Sequence, residues 1–172
     1  DMIYHNDGKW VPSTTFTYYN QKKNEKPMVD DGSLVELALK KVKKFGACSA
    51  KIWANDEPWN EKPSEEAYAD GFRGKGIKAW YEVKSLKQVK QAIASGYPVA
   101  AAVAWCFKDF DEKYIMNIPT EDEARRCHSG HAIVFVGYDD NTKLIEFRNS
   151  WSDQWANEGY AFMTYETLKR VA

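Results

Sequence analysis

The sequence predicts an α+β fold in which a mostly helical part, residues 1–96, precedes an antiparallel β part, residues 97–172. Up to Ser95, apolar residues recur at helical spacing behind serines suited to cap a helix. From Tyr97 onward, the apolar residues form short runs separated by turn residues, which is typical of strands. The 172 residues, 44% of them hydrophobic, are enough to bury an ordinary core, so we expect a single domain over residues 1–172.

Serines mark the expected starts of helices in the first part. Ser13 is placed to cap a helix that runs to about Lys23. Ser33 precedes an apolar run, Glu36 would complete a capping box with it, and Gly46 would end that helix. The other elements expected here are a short helix opening at 63–67, a short strand at 79–83 and a helix at 85–95.

The β part is expected to contain four strands and a closing helix, over 99–107, 131–138, 144–149, 160–163 and 165–170. The sequence Asp139-Asp140-Asn141 is typical of a turn and joins the second strand to the third. The long polar stretch 109–129 is expected to be a loop over the rim of a site.

His131 and Asn149 are the residues whose pattern points to chemistry. His131 opens a β-branched apolar run, and Asn149 follows after the turn, so neighbouring strands can bring the two side chains together. An Asn carbonyl that accepts a hydrogen bond from one imidazole nitrogen fixes the tautomer and leaves the other nitrogen to handle a proton. This is the base-and-orienter half of a cysteine nucleophile system.

Short motifs follow one another in order between Gly130 and Tyr160. They read His131-Ala132-Ile133, Val136-Gly137-Tyr138, Asn149-Ser150-Trp151, Trp155 and Gly159-Tyr160. In this order they resemble the C-terminal signature of papain-like cysteine peptidases. Weaker likenesses extend the resemblance over most of the chain: residues 12–20 and 31–33 are similar to bacterial and phage-type members, and 98–103 to the strand that begins the family's second lobe.

The resemblance implies a papain-like fold with an active cleft between a helical lobe and a β lobe. It implies peptide-bond hydrolysis of a peptide or protein substrate, with His131 as general base and then acid. Asn149 would orient His131, and the Trp151 ring would shield their hydrogen bond from water. Ser152 and Ala156 stand where the family usually has Gly. If the backbone there needs positive φ, we expect the Trp151 loop and the Asn149 contact to shift.

The family's opening block, a Gln followed by Gly-x-Cys at the start of a long helix, is not found in the sequence. That Cys is the family's nucleophile, and the Gln donates a hydrogen bond to the developing oxyanion. Residues 2–5 are expected to be the last turn of that helix, closed by 6–8. We therefore expect the chain alone to be inactive and its partner to be an N-terminal segment that carries the nucleophile.

None of the three cysteines is expected to replace the missing nucleophile. Cys48 follows a helical pattern and Cys106 lies in an apolar run, where a small buried thiol is expected. Cys127 is four residues before His131 and is the least improbable substitute. The odd count argues against a complete disulfide framework, and a domain of this size needs none.

Composition and spacing also exclude several classes of function. The net charge of −1 gives no electrostatic case for nucleic-acid binding, and the sequence has no apolar run long enough to span a membrane. No signal peptide is recognised. No cofactor or metal is expected: residues 127–131 lack a second zinc-ligand cluster, 139–141 lack the Glu and Gly of a calcium loop, and 72–76 lack the spacing of a phosphate loop.

Two alternatives stay open at this level. One is a catalytically silent papain-like module that binds peptides or acts as a structural part of a larger assembly. The other keeps the fold but changes the bond that is cleaved or formed, as in amidases or transglutaminases built from similar parts.

Overall fold

The structure is a computed structural model that describes residues 10–73, 76–105, 110–116, 120–127 and 130–171. The elements run in the order α1 (Thr14–Lys22), α2 (Val35–Phe45), α3 (Glu65–Phe72), α4 (Leu86–Ala94), β1 (Val99–Ala104), α5 (Glu121–Arg126), β2 (Gly130–Asp139), β3 (Leu144–Arg148), β4 (Tyr160–Thr164) and α6 (Tyr165–Val171). Contacts divide the chain into two compact units, with the boundary in the sequence between Glu82 and Val83. The predicted helical turn at residues 2–5 lies outside the described residues.

Serine side chains cap three of the four helices predicted in the first part of the chain. The Ser13 hydroxyl accepts a hydrogen bond from the Phe16 N–H at 3.0 Å, at the start of α1. Ser64 and Ser85 cap α3 and α4 in the same way. A capping oxygen satisfies one of the N–H groups that the first helical turn leaves without a partner, so the three predicted helix starts are confirmed.

The predicted cap of α2 is wrong, although its predicted end is right. The N-cap is Leu34 and makes no side-chain hydrogen bond. Because α2 begins one residue later than the Ser33 capping box requires, Glu36 is no longer at the third helical position. Its carboxylate pairs instead with Lys40, one turn further along, at 2.6 Å. At the other end Gly46 has a φ of 71° and ends the helix as predicted.

The helical unit is held together by a small core and by one close backbone contact. The buried core side chains are Phe16, Cys48, Trp53 and Ala67. A Cβ atom added to Gly46 would lie 1.8 Å from the carbonyl oxygen of Gly71 in α3. Glycine at position 46 therefore permits both the left-handed turn and the direct approach of the two helices.

The second unit is built on a four-stranded antiparallel sheet in the order β1-β2-β3-β4. One face carries a core that α4 and α6 help to bury, made of Val89, Val99, Val103, Met116, Ile133, Phe135, Ile145, Phe147, Ala161, Met163, Leu168 and Val171. The predicted α+β class with antiparallel strands is confirmed. Helix α4, placed in the helical part by the sequence, packs with β1 and β2.

Two predictions about secondary structure are wrong. Residues 79–83 form no strand. The stretch 109–129, predicted as a loop, contains α5, which Thr120 and Glu123 begin with a reciprocal capping box. The Thr120 N–H donates to Glu123 at 3.0 Å and the Glu123 N–H donates to the Thr120 hydroxyl at 3.2 Å. None of the described helices is long and apolar enough to cross a membrane.

Candidate active site

Strand pairing brings His131 and Asn149 together. Side chains alternate between the two faces of a strand, so His131 shares the face of the buried Phe135 on β2. Asn149 directly follows β3 and shares the face of the buried Phe147 by the same alternation. Phe135 and Phe147 are paired residues of the β2–β3 ladder. The two polar side chains therefore lie on one face, at the same end of adjacent strands.

The predicted contact between these side chains is present. His131 Nε2 lies 2.8 Å from Asn149 Oδ1. Asn149 is buried, with 5% of its surface exposed, and its backbone N–H donates to the Gly159 carbonyl at 2.9 Å. Asn149 is therefore held through both its main chain and its side chain.

A third hydrogen bond determines which imidazole nitrogen carries a hydrogen. The Ser150 N–H donates to Asn149 Oδ1 at 2.8 Å. A flipped amide would turn an NH₂ group toward that N–H, so the oxygen must occupy this position. Because an oxygen faces it, His131 Nε2 must be the donor. The neutral imidazole then carries its free lone pair on Nδ1.

The amide nitrogen of Asn149 is buried and has no hydrogen-bond partner among the described residues. A buried donor without a partner costs about 1–3 kcal/mol. The two hydrogen bonds to Oδ1 hold the amide in this orientation despite that cost.

Two indole rings contact the His131 ring. The ring centroid of Trp105 lies 4.6 Å from that of His131, and the centroid of Trp151 lies 5.1 Å from it. The two indoles also contact each other, at 5.4 Å. Trp151 stands beside His131, where the family resemblance had placed it, but 47% of its surface is exposed. About half of the Trp151 surface thus stays open to solvent while its ring packs against the imidazole.

Trp105 contacts His131 although it belongs to none of the motifs recognised in the sequence. A signal was available in the sequence pattern. Trp105 follows the end of β1 with the same alternation as Val103, and Val103 is the ladder partner of His131. The register of the β1–β2 pair was needed to see that the two side chains would meet.

The backbone at Ser152 and Ala156 has positive φ, 74° and 49° respectively. We expected this conformation to shift the Trp151 loop and the Asn149 contact. For the Asn149 contact that expectation is wrong, since the 2.8 Å bond from His131 to Asn149 is present. The Gln154 N–H donates to the Ser152 hydroxyl at 3.3 Å and supports the turn locally. The loop accommodates both residues in a conformation that usually belongs to glycine.

Two of the three cysteines, Cys48 and Cys127, lie within the described residues. Cys127, the cysteine nearest in sequence to His131, is disulfide-bonded and is therefore not a free thiol, so a disulfide is present that the odd cysteine count did not predict. Cys48 is a buried thiol in the core of the helical unit and donates to the Ser49 carbonyl at 3.4 Å. Cys106 lies outside the described residues. No cluster of three or more His, Cys, Asp or Glu side chains suited to a metal occurs within the described ranges.

Sequence comparisons relate the chain to cysteine proteases. A family profile described as papain family cysteine protease matches residues 30–171. An uncharacterized peptidase C1-like protein of Acanthamoeba polyphaga mimivirus is 28% identical over 176 residues, which cover 94% of this chain and 56% of that protein. Cathepsin K of Mus musculus is 28% identical over 79 residues, 45% of this chain and 24% of that protein. The chain thus spans little more than half of the viral relative.

Solved structures give the same assignment. Xylellain, a cysteine protease from Xylella fastidiosa, matches with a TM-score of 0.80 and 26% identity, over 95% of this chain and 68% of that one. The bromelain protease from Ananas comosus, in complex with the E64 inhibitor, matches with a TM-score of 0.58 and 16% identity, over 92% and 71% of the two chains. The second likeness concerns the fold alone. From the matched profile and the shared fold, the chain belongs to the papain family of cysteine proteases.

Proposed function

We propose that this chain supplies the base half of a thiol peptidase site, in one catalytic domain completed by a segment that bears the nucleophilic cysteine. His131 is the general base and then the general acid, Asn149 orients it, and Trp151 shields their bond. The observation that carries the proposal is the pair of hydrogen bonds to Asn149 Oδ1, from His131 at 2.8 Å and from Ser150 at 2.8 Å. They leave the Nδ1 lone pair of a neutral His131 for a thiol proton.

The chemistry follows from that lone pair. Nδ1 takes the proton of the incoming thiol, and the thiolate attacks the carbonyl carbon of a peptide substrate. The resulting imidazolium donates from Nε2 to Asn149 Oδ1, and this charge-assisted bond stabilises it. His131 then gives the Nδ1 proton to the leaving amine, and the acyl group stays on the cysteine. In the second half His131 takes a proton from water, which attacks the thioester; the C–S bond breaks, the acid is released, and the cysteine sulfur recovers the proton from His131.

Family membership supports this proposal. The family profile covers the whole described site, including His131, Asn149 and Trp151. Because the chain spans 56% of the viral relative, relatives of this kind contain further sequence beyond the part that matches. A segment bearing a nucleophile and an oxyanion donor would complete the cooperative unit, which loses almost all activity when one member is absent.

The test compares the 172-residue chain with the same chain joined to its native upstream sequence. An electrophilic inhibitor of cysteine peptidases is added, and intact-mass analysis identifies the labelled protein and residue. We expect label and turnover only with the upstream sequence present, and the loss of turnover in His131→Ala. Labelling of a cysteine within the 172 residues, with turnover abolished by its replacement with Ala, would show that the nucleophile is internal.

One observation favours a second candidate, a papain-like module that binds peptides without cleaving them. The described cysteines offer no accessible thiol, since Cys127 is in a disulfide and Cys48 is fully buried in the core of the helical unit. This candidate predicts peptide binding without turnover, and no inhibitor label even when the upstream sequence is present.

A further inference from the structure

We propose that Trp105 is a positioning residue for His131, holding the imidazole so that Nε2 stays on Asn149 and Nδ1 stays available. The inference about the ring stands on geometry, and its consequence for catalysis rests on the proposed function. Trp105 directly follows β1 and is distant in sequence from both His131 and Asn149.

Three rings in mutual contact surround the base. The centroid distances are 4.6 Å from Trp105 to His131, 5.1 Å from His131 to Trp151 and 5.4 Å from Trp105 to Trp151. The Trp105 and His131 planes meet at 61°, an edge-to-face arrangement. Rotation of the imidazole away from Asn149 would break two ring contacts together with the hydrogen bond. The ring contacts and the hydrogen bond therefore restrain the same side-chain torsions of His131.

Of the two indoles, Trp105 is the better fixed. It directly follows β1, whose last residue, Ala104, is the ladder partner of Gly130 next to His131. Its ring also contacts the fully buried Phe147 at 6.2 Å, with the planes at 86°. Trp151 follows Asn149 in an irregular loop and is 47% exposed. Trp105 thus holds the imidazole in a fixed place relative to the sheet and its core, whereas Trp151 mainly covers the imidazole.

We expect this restraint to slow the exchange of the Nε2-bound hydrogen of His131 with water. That hydrogen exchanges with water only when the His131–Asn149 bond opens. Losing a ring contact should raise the population of the open form about fivefold, which corresponds to about 1 kcal/mol, the usual contribution of an aromatic pair. A residue that only fills the core would destabilise the fold without selectively exposing this hydrogen.

The experiment measures this exchange by NMR in the 15N-labelled full protein, with the signal assigned by its loss in His131→Gln. Trp105→Leu removes the ring and keeps apolar volume, and Trp105→Phe keeps a ring. Trp155→Leu is the matched control, because Trp155 lies in the same aromatic group and its described ring contacts are to Phe110, Phe147 and Trp151. We expect faster exchange in Trp105→Leu, restoration toward the unmutated rate in Trp105→Phe, and little change in Trp155→Leu.

Two results would overturn the proposal: unchanged exchange in folded Trp105→Leu, or an equal rise in Trp155→Leu. If Trp105→Leu does not fold, the decision rests on the unmutated protein, in which ring hydrogens of Trp105 and His131 must show mutual cross-relaxation. Its absence would also overturn the proposal. These readouts need no peptidase activity, so a catalytically silent protein with Trp105-dependent protection would refute the proposed function and leave this inference intact.

Discussion

The backbone N–H of Ser150 donates to the side-chain oxygen of Asn149 at 2.8 Å, next to the bond that the same oxygen makes with His131. This neighbour bond orients the amide and thereby assigns the hydrogen of His131 to Nε2. Orientation of the base therefore depends on an acceptor that receives two donors at once.

Replacement of Asn149 should separate orientation from folding. Asn149→Ala removes the acceptor, and we expect kcat/KM of the completed enzyme to fall by about a hundredfold, within the usual contribution of a positioned base. Asn149→Asp keeps an acceptor toward both donors and should lose less activity. Activity assays and NMR detection of the Nε2-bound hydrogen check both variants. Equal losses in the two would mean that the acceptor is not what orients the ring.

The close approach of Gly46 and Gly71 predicts an intolerant position in the helical unit. Gly46→Ala places a Cβ 1.8 Å from the Gly71 carbonyl oxygen. We expect this variant either not to fold in the helical unit or to lose several times more free energy of unfolding than backbone strain alone would cost. Gly32→Ala is the matched control, since Gly32 has a similar φ of 84° and no atom within 4 Å of the added Cβ.

The control should cost about 1–2 kcal/mol, the strain of a left-handed residue with a Cβ. Chemical denaturation followed by circular dichroism gives both free energies of unfolding. Similar values for the two variants would contradict the close approach of the helices.

The left-handed backbone at Ser152 predicts that glycine stabilises the loop. Ser152 has a φ of 74° and an exposed side chain, so Ser152→Gly should raise the free energy of unfolding by about 1 kcal/mol, less the small loss of its bond to Gln154. Ser150→Gly is the matched control in the same loop, at an exposed residue outside the left-handed region. It should be destabilising, because glycine there only adds freedom to the unfolded chain. Thermal unfolding of both variants gives the sign of each effect.

An ion pair predicts how the stability of the β unit depends on pH. Lys90 of α4 pairs with Asp140, which also accepts a hydrogen bond from the Tyr165 hydroxyl at 3.0 Å. The hydrogen bond from Lys90 lowers the pKa of Asp140 below its ordinary value of 3.8. Burial, followed by the bond to Asp140, raises the pKa of Tyr165 from 10.0 to about 12.

The Asp140 contribution is therefore present above pH 3.8 and is lost as pH falls through the lowered pKa. The Tyr165 contribution is present below pH 10.0 and is lost as pH rises toward about 12. We expect Asp140→Asn to lower Tm at neutral pH and to match the unmutated protein in strong acid. Tyr165→Phe lacks the titrating hydroxyl, so its Tm should not show the part of the alkaline decline that comes from Tyr165. Melting curves across pH test this, and a constant Tm difference for Asp140→Asn down to strong acid would contradict it.

Local physical rules explain what the sequence determined by itself. Capping at Ser13, Ser64 and Ser85 depends on residues within one helical turn, so these helix starts could be predicted from the sequence without tertiary information. The His131 and Asn149 pair was readable because strand alternation and one short turn place both residues on the same face. The family could be predicted from the ordered motifs between Gly130 and Tyr160, and the α+β class from the change of apolar spacing near Tyr97.

Tertiary structure decided the relationships that join distant parts of the chain. The contact of Trp105 with His131 depends on the β1–β2 register, which no local pattern specifies. The disulfide of Cys127 required the folded chain, because spacing alone does not determine pairing. The N-cap of α2 lies at Leu34, one residue after the predicted Ser33, and the ends of helices are the part of a helix that sequence specifies least closely. At Ser152, hydrogen bonds and packing around the loop hold a left-handed conformation against the local preference of the residue, and the site keeps its geometry.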